Sequence, residues 1–485
     1  MKKMQQLRAD FLNTKTEMTK RYLIYTIITL LTTAAFYSCK VTKPYEQPGI
    51  ITQNLYRGQT GTDTLTIASM QWEQLFADTI LQNLIREGLT NNLNLKTAIQ
   101  KIAEAQAALG QAKGAFIPSF SGNANVTHSR QSVAALNFPP GLDISTVATT
   151  YQIGLSSSWE ADVWGQLKSA KKSALANLLA SDAAKRAVQT QLIADIANNY
   201  YSLLALDKQL EITRQALEYR KKDFETMKAL KEADVVNGAA VVESEANRYE
   251  AEVAIPDLKR SIRETENALD LLLGRPPGPV NRDKLDAQHP ITGLQTGIPA
   301  QLLQNRPDVQ QAEFAFRAAF ENTNAARTYF YPQFTITASG GFSNLTLKDF
   351  FVNSVFYNIA AGLTQPIFNQ GINKARLKTA QAQQMEALNN FQQSLLTAGS
   401  EVSNALYAYQ TGVEKDTSRT KEITALTKAV DYTQQLLRYS SATNYTDVLT
   451  SEQALLAAQL NAVGDKLQQL QAIVNLYHAL GGGWK

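Results

Sequence analysis

Few residues in this chain have the type and spacing to do chemistry, and the first is a cysteine. Cys39 is the only one among 485 residues, so no disulfide can form within the chain. It stands in Phe36-Tyr-Ser-Cys39-Lys, behind Lys20-Arg21 and an apolar run from Tyr22 to Ala35. A basic start, an apolar stretch of secretory length and a small residue before cysteine read as a bacterial lipoprotein signal. Its cysteine becomes the acylated first residue of the mature chain. Phe36 occupies the place where leucine is commonest, so the signal is a relaxed form. The apolar run is too short to cross a bilayer as a helix. The expected product carries an N-acyl chain and an S-diacylglycerol on Cys39 and no other cofactor. At about 0.8 kcal/mol per buried CH₂, such an anchor holds a chain at a membrane, not through it.

The remaining reactive types make no catalytic pattern. Glu160 and Asp162 are two residues apart and mimic a carboxylate pair. They sit at a strand end beside Trp159 and Trp164, which is the pattern of a membrane-interface girdle. His128, His289 and His478 are far apart and have no ligand spacing, so no metal is expected. No phosphate loop, nucleophile elbow or HExxH is present. The chain is expected not to be an enzyme. Charged residues make up 19% of it with both signs interspersed and a net charge of +4, so nucleic acid is not an expected partner.

The elements that position these residues are written twice. Asn324-Ala-Ala-Arg-Thr-Tyr-Phe-Tyr-Pro332 ends a helix, turns at proline and leaves as a strand. In that strand Phe334, Ile336, Ala338 and Phe342 alternate with Thr335, Thr337 and Ser339, the period of a sheet between two media. The same event occurs at Phe116-Ile-Pro118-Ser, 214 positions earlier. Gly165 matches Gly371 at 206, and Gly274 matches Gly481 and Glu245 matches Glu452 at 207. A period of this size marks a duplicated, domain-sized module, not a solenoid unit.

Each copy reads as helix, strand, strand, long helix, helix. Residues 1–38 are the expected signal peptide, with Met18 as a second candidate start that leaves 1–17 outside it. Residues 39–66 read as a lipid-anchored tether with Pro44, Pro48 and Gly49. Repeat 1 spans 67–278, with helices at 70–87 and 91–113, strands at about 117–131 and 146–163, and a long helix at 165–231. Asn237-Gly238 turns the chain into a returning helix that Pro256 should bend. Residues 279–306 are an irregular inter-repeat segment. Repeat 2 spans 307–485, with a helix at 307–329, strands at about 333–345 and 353–367, a long helix at 371–437 and a returning helix at 447–480. Each long helix measures ~100 Å at 1.5 Å per residue, which no compact domain accommodates. One returning and one entering helix laid end to end match that length, so their joins predict a belt at mid-height.

Four strands with an apolar face cannot close a barrel, and lipid does not tolerate an open sheet edge. Membrane barrels start at about eight strands, so the chain must oligomerise if its strands enter a bilayer. The alternative is a lipid-anchored periplasmic scaffold with an ordinary sheet and no pore.

The run Gly297-Ile-Pro-Ala-Gln-Leu-Leu-Gln-Asn-Arg306-Pro307-Asp308 resembles the signature of TolC/OprM-type outer-membrane factors, of the lipoprotein RND-type NodT subfamily. Leu271-Leu-Leu-Gly274-Arg-Pro-Pro-Gly, Ser158-Trp-Glu-Ala-Asp-Val-Trp-Gly165 and Tyr329-Phe-Tyr-Pro332 are similar as well. The resemblance implies a fold that is mainly α with a transmembrane β contribution: a homotrimer with a twelve-stranded barrel continued by an α-helical barrel. It implies the exit duct of a tripartite efflux pump in the outer membrane. A periplasmic adaptor (membrane fusion protein) and an inner-membrane RND-type transporter supply the substrate; a duct for type I protein secretion is the neighbouring alternative. Arg306-Pro307-Asp308 also has a plain reading, proline at the first helical position, aspartate at the positive end of the dipole, and an ion pair with Arg306. Gly165, Gly371, Pro118, Pro332 and Gly274 belong to the same structural signature. The turn Arg438-Tyr-Ser-Ser-Ala-Thr-Asn-Tyr-Thr-Asp447 matches the place where similar proteins narrow a periplasmic gate. The resemblance makes Asp447 an acidic ring around a three-fold axis, with Tyr439 and Arg438 latching toward Asp234 and Glu243.

Overall fold

A computed structural model describes residues 41–49, 55–56, 66–132, 145–291, 294, 296–297, 299–439 and 445–485. Cys39, the signal segment, much of the tether and the turn centre at 440–444 lie outside the described residues.

The helices and strands follow the doubled order. Repeat 1 contains α1 (Trp72–Leu75), α2 (Thr79–Asn91), α3 (Leu93–Gly114), β1 (Ser119–Arg130), β2 (Val147–Ala161), α4 (Gln166–Glu232) and α5 (Gly238–Leu273). A short α6 (Leu302–Asn305) precedes repeat 2, which has α7 (Pro307–Thr328), β3 (Gln333–Asn344), β4 (Val355–Thr364), α8 (Ile372–Tyr439) and α9 (Tyr445–Ala479). The long helices α4 and α8 have 67 and 68 residues. Each follows a glycine in the left-handed region, Gly165 at φ 81° and Gly371 at φ 80°. No described helix is long and apolar enough to cross a membrane.

One sequence expectation changes. The single helix over 70–87 is two helices, because Asp78 caps a new start, its Oδ1 accepting from Ile80 N at 2.7 Å. The other oxygen of Asp78 accepts from the Tyr200 hydroxyl at 2.5 Å and from Gln288 Nε2 at 2.9 Å. A buried polar hub thus fixes the break. Pro256 lies inside α5, and the helix continues across it.

The chain divides into two compact units that cut across the repeats. One takes Ala108–Leu175 and Arg317–Gln384 with the N-terminal stretch up to Gln47. Its centre is an antiparallel sheet in the order β1-β2-β3-β4. Strict alternation sorts the side chains onto two faces. Phe120, Val126, Ile153, Leu155, Tyr357 and Ile359 are exposed on one face. Ser121, Ser156, Ser339 and Asn358 form a row in register across the other. On that polar face Gly154 and Gly341 pair, which leaves room for the Phe356 ring. Within the chain, β1 and β4 are edge strands. Glu160 lies within β2, whereas Asp162 follows the strand, accepts from Leu167 N and Lys168 N at 2.9 and 2.8 Å, and closes the start of α4.

The other unit takes Pro48–Ala107, Ala176–Phe316 and Met385–Lys485. Its core buries Phe76, Ile85, Ile196, Tyr200, Leu273 and Phe391.

Candidate functional site

Two parts of the helical unit carry the residues singled out above, a joint at the ends of the returning helices and the ends of the helix hairpins. At the joint, α9 stops at Gly481, whose φ of 85° no L side chain adopts easily. A Cβ there would lie 2.4 Å from the carbonyl oxygen of Asn305. The next residue, Arg306, is buried. Its guanidinium donates to Asp308 through Nε and Nη2 at 2.8 and 2.5 Å. Its Nη1 donates to Glu401 on α8 and, at 3.1 Å, to the Ala479 carbonyl. Burial alone would raise the Asp308 carboxyl, but the hydrogen bond and charge of Arg306 overcome it and hold it below the usual range. His478 borders the same cluster. Burial, then the Arg306 charge, keeps its imidazole below the ordinary value. Pro307 opens α7 where its missing N–H costs nothing. Arg306-Pro307-Asp308 is therefore a structural clamp, as its plain reading expects. A corresponding joint lies at Gly274, φ 69°, packed on Asn91.

The hairpin ends differ from the expected arrangement. Asp234 has a φ of 57° just beyond α4, and Asn237 caps α5 by accepting from Ala240 N. Asp447 lies in the first turn of α9 and is exposed, and Arg438 is in the last turn of α8. Among the described residues no hydrogen bond or ion pair joins Arg438 or Tyr439 to Asp234 or Glu243, and Tyr439 is 84% exposed. The buried tyrosine at this end is Tyr445, which packs with Met227 of α4 and Leu449. Polar pairs complete the contact. Thr433 meets Ser451 at 3.0 Å, and Gln434 Nε2 donates to Glu452 at 2.8 Å. Gln453 donates to Asn247 across the repeats at 3.3 Å, and Arg220 pairs with Glu250 at 2.8 Å. Glu452 was visible in the sequence only as the repeat partner of Glu245 and Tyr445 only as a member of the turn run, because nothing in an even helix reveals its angular phase.

The imidazoles stay apart. His128 bonds Thr149 on the sheet at 2.8 Å and His289 is exposed, while His478 is at the joint. Among the described residues no cluster of three His, Cys, Asp or Glu could hold a metal ion.

Comparison with known proteins bears on the whole chain. A family model described as outer membrane efflux protein matches residues 84–275 and 298–482. The solvent efflux pump outer membrane protein SrpC of Pseudomonas putida is 30% identical over 460 residues, covering 92% of this chain and 96% of its own. The probable outer membrane lipoprotein SilC of Salmonella typhimurium is 29% identical over 420 residues, 85% and 88% of the two chains. Among solved structures, the open state of the Neisseria gonorrhoeae outer membrane channel MtrE superposes with a TM-score of 0.80 at 27% identity. That match covers 92% of this chain and 99% of that one.

Proposed function

This chain belongs to the outer membrane efflux protein family, and from that premise we propose how its parts make a duct. It is an outer-membrane efflux channel, the exit component of a tripartite pump. Three copies of the four-stranded sheet close one barrel of twelve strands, with β1 of one copy beside β4 of the next. The apolar face meets lipid, and the serine and asparagine row lines the lumen. The long helices of the three copies form a helical conduit, and Asp447 contributes a ring of carboxylates that attracts cations. The duct is passive. An RND-type transporter and an adaptor supply the energy and the cargo, which by analogy with the solvent pump relative are small organic molecules. Cys39 carries the lipid anchor.

The observation that supports this reading is the sheet itself. It exposes one apolar face, and Tyr357 and Ile359 are 82% and 73% exposed. Its other face is polar, and among the described residues neither edge has a neighbouring strand. Such a sheet is stable in a bilayer only when closed. The native mass of detergent-extracted mature protein tests it, with three chains and three sets of acyl groups expected. A monomer that stays soluble without detergent would overturn it in favour of the scaffold. Ile336→Arg or Ile359→Arg should cost about 2–4 kcal/mol near the bilayer midplane and impair insertion. In a scaffold the same changes would be nearly neutral.

A further inference from the structure

At the hairpin end of the helical unit two carboxyl groups face each other, Asp223 on α4 and Glu452 on α9. They belong to different repeats. Asp223 Oδ2 is buried and receives no hydrogen bond. Glu452 Oε1 accepts from Gln434 Nε2, and the Glu452 side chain also meets that of Asp223. Two ionised carboxylates in this part-buried place would repel, and neither could satisfy the other. A single proton resolves both problems, because protonated Glu452 is a donor and Asp223 Oδ2 an acceptor.

The surrounding charges leave that proton in place. On α4 Arg220, whose charge opposes the rise of both carboxyls, is bound to Glu250 and to the Asn247 carbonyl, and burial outweighs it. From α5 come Glu243 and Glu250, and Arg248, which stacks 5.2 Å over the Phe224 ring. From α8 come Asp431 and the neutral Gln434, and from α9 the buried Tyr445. Carboxylates outnumber available cations. A cavity of about 390 Å³, lined among others by Tyr219, Arg220, Asp431, Gln434 and Glu452, gives water a route to the pair. The proton can therefore exchange with the solution.

We propose that Asp223 and Glu452 share one proton, and that this proton fastens the long helix of the first repeat to the hairpin of the second. The latch lies within one chain; only its consequence, a pH-dependent aperture, rests on the duct reading. Burial, then the Asp223 charge, pushes Glu452 up to about 7, and burial raises Asp223 too. A carboxyl raised in the fastened state favours fastening fully below its ordinary value. It loses that contribution as pH rises through the raised value. With one proton at stake, the opening equilibrium should grow about tenfold between pH 6 and pH 8.

Hydrogen exchange on the full-length protein in detergent, with rates corrected for intrinsic pH dependence, reads this in peptides covering 445–460. The wild-type hairpin should open about tenfold more at pH 8 than at pH 6. Glu452→Gln supplies a permanent donor to Asp223, so its hairpin should stay protected at both pH values. Asp223→Asn, a donor facing an ionised Glu452, should also flatten the profile and serves if the first variant does not assemble. Equal wild-type exchange at the two pH values, or a tenfold change retained in both variants, would overturn the latch. Bilayer conductance separates the two readings: a well-folded protein that conducts nothing sinks the duct and leaves the latch standing.

Discussion

The two copies of the helix joint, one per repeat, solve the same problem with different charges. In the first, α5 ends at Gly274 against Asn91, and Asn92 donates to the Leu272 carbonyl at 2.8 Å. In the second, α9 ends at Gly481 against Asn305, and Arg306 donates to the Ala479 carbonyl. Asn92 and Arg306 are 214 positions apart, and Leu272 and Ala479 are 207 apart, the offsets that relate the repeats. The contact is one contact made twice. A neutral amide serves in the first copy and a guanidinium in the second. Yet the first joint also holds an arginine, on the other side of its glycine. Arg275 donates to the buried Asp270 at 2.7 Å and to Glu87 at 2.9 Å. Where Arg275 stands, the second repeat has Gly482. What both copies keep is the close backbone approach and one guanidinium; which segment supplies the cation is free.

If close approach is the shared requirement, the glycines should matter most. Gly481→Ala places a Cβ 2.4 Å from a backbone oxygen at φ 85°, and Gly274→Ala one 2.7 Å from the Asn91 oxygen at φ 69°. Neither obstacle is a side chain that can rotate away. Each substitution should cost about 3 kcal/mol or more. Gly481→Ala should be the worse of the two. Helical melting followed by circular dichroism at one scan rate in detergent checks this. A benign Gly481→Ala would mean the joint is not rigid, and the comparison would lose its basis.

The charges come next. Arg306→Ala strands Asp308 and Glu401 beside a buried carbonyl and should cost about 3 kcal/mol. Asn92→Ala removes one hydrogen bond and the cap on Leu95 N, for about 1–2 kcal/mol. The first repeat also predicts a rescue, because Asn94 stands where the second has Asp308. Arg306→Asn with Asp308→Asn reproduces the neutral joint and should recover more than half of the loss in the same melting assay. If the double variant is as damaged as Arg306→Ala, the two joints are not interchangeable.

Much of this architecture was readable because the chain repeats. Proline, glycine and alternation placed β1–β4 within three residues of their observed ends, and the paired glycines placed the starts of α4 and α8. The break at Asp78 was not readable, since its cause is Tyr200 and Gln288, distant in the chain. The hairpin contacts were hidden for a related reason. A helix of 67 residues that meets different neighbours along its length has no constant apolar stripe. Sequence spacing therefore fixes how far along α4 Asp223 lies, but not that it points at Glu452. Tyr439 attracts notice beside the turn, whereas the buried tyrosine is Tyr445 across it.

The smallest effect separates the joints by pH. Asp308 is held below its ordinary value, so it stabilises the fold above about pH 3.9 and loses that contribution as pH falls through its lowered value. His478 is also held down, first by burial and then by Arg306. A histidine kept neutral in the fold costs stability as pH falls below about 6.5, where the unfolded chain takes up a proton. The wild type should therefore weaken on acidification in two windows, one beginning near pH 6.5 and one near pH 3.9. The Arg306→Asn, Asp308→Asn variant lacks the second carboxylate and the cation that depresses the imidazole. Its melting temperature should vary less than that of the wild type in the lower window, and the upper window should shrink without vanishing, since burial remains. Because the Asp308 side chain is 40% exposed, screening limits the lower-window difference to about 1 kcal/mol or less. An unchanged upper window in Arg306→Ala would mean that burial, not the Arg306 charge, sets His478. Arg306 would then act at the joint only through the partners it touches.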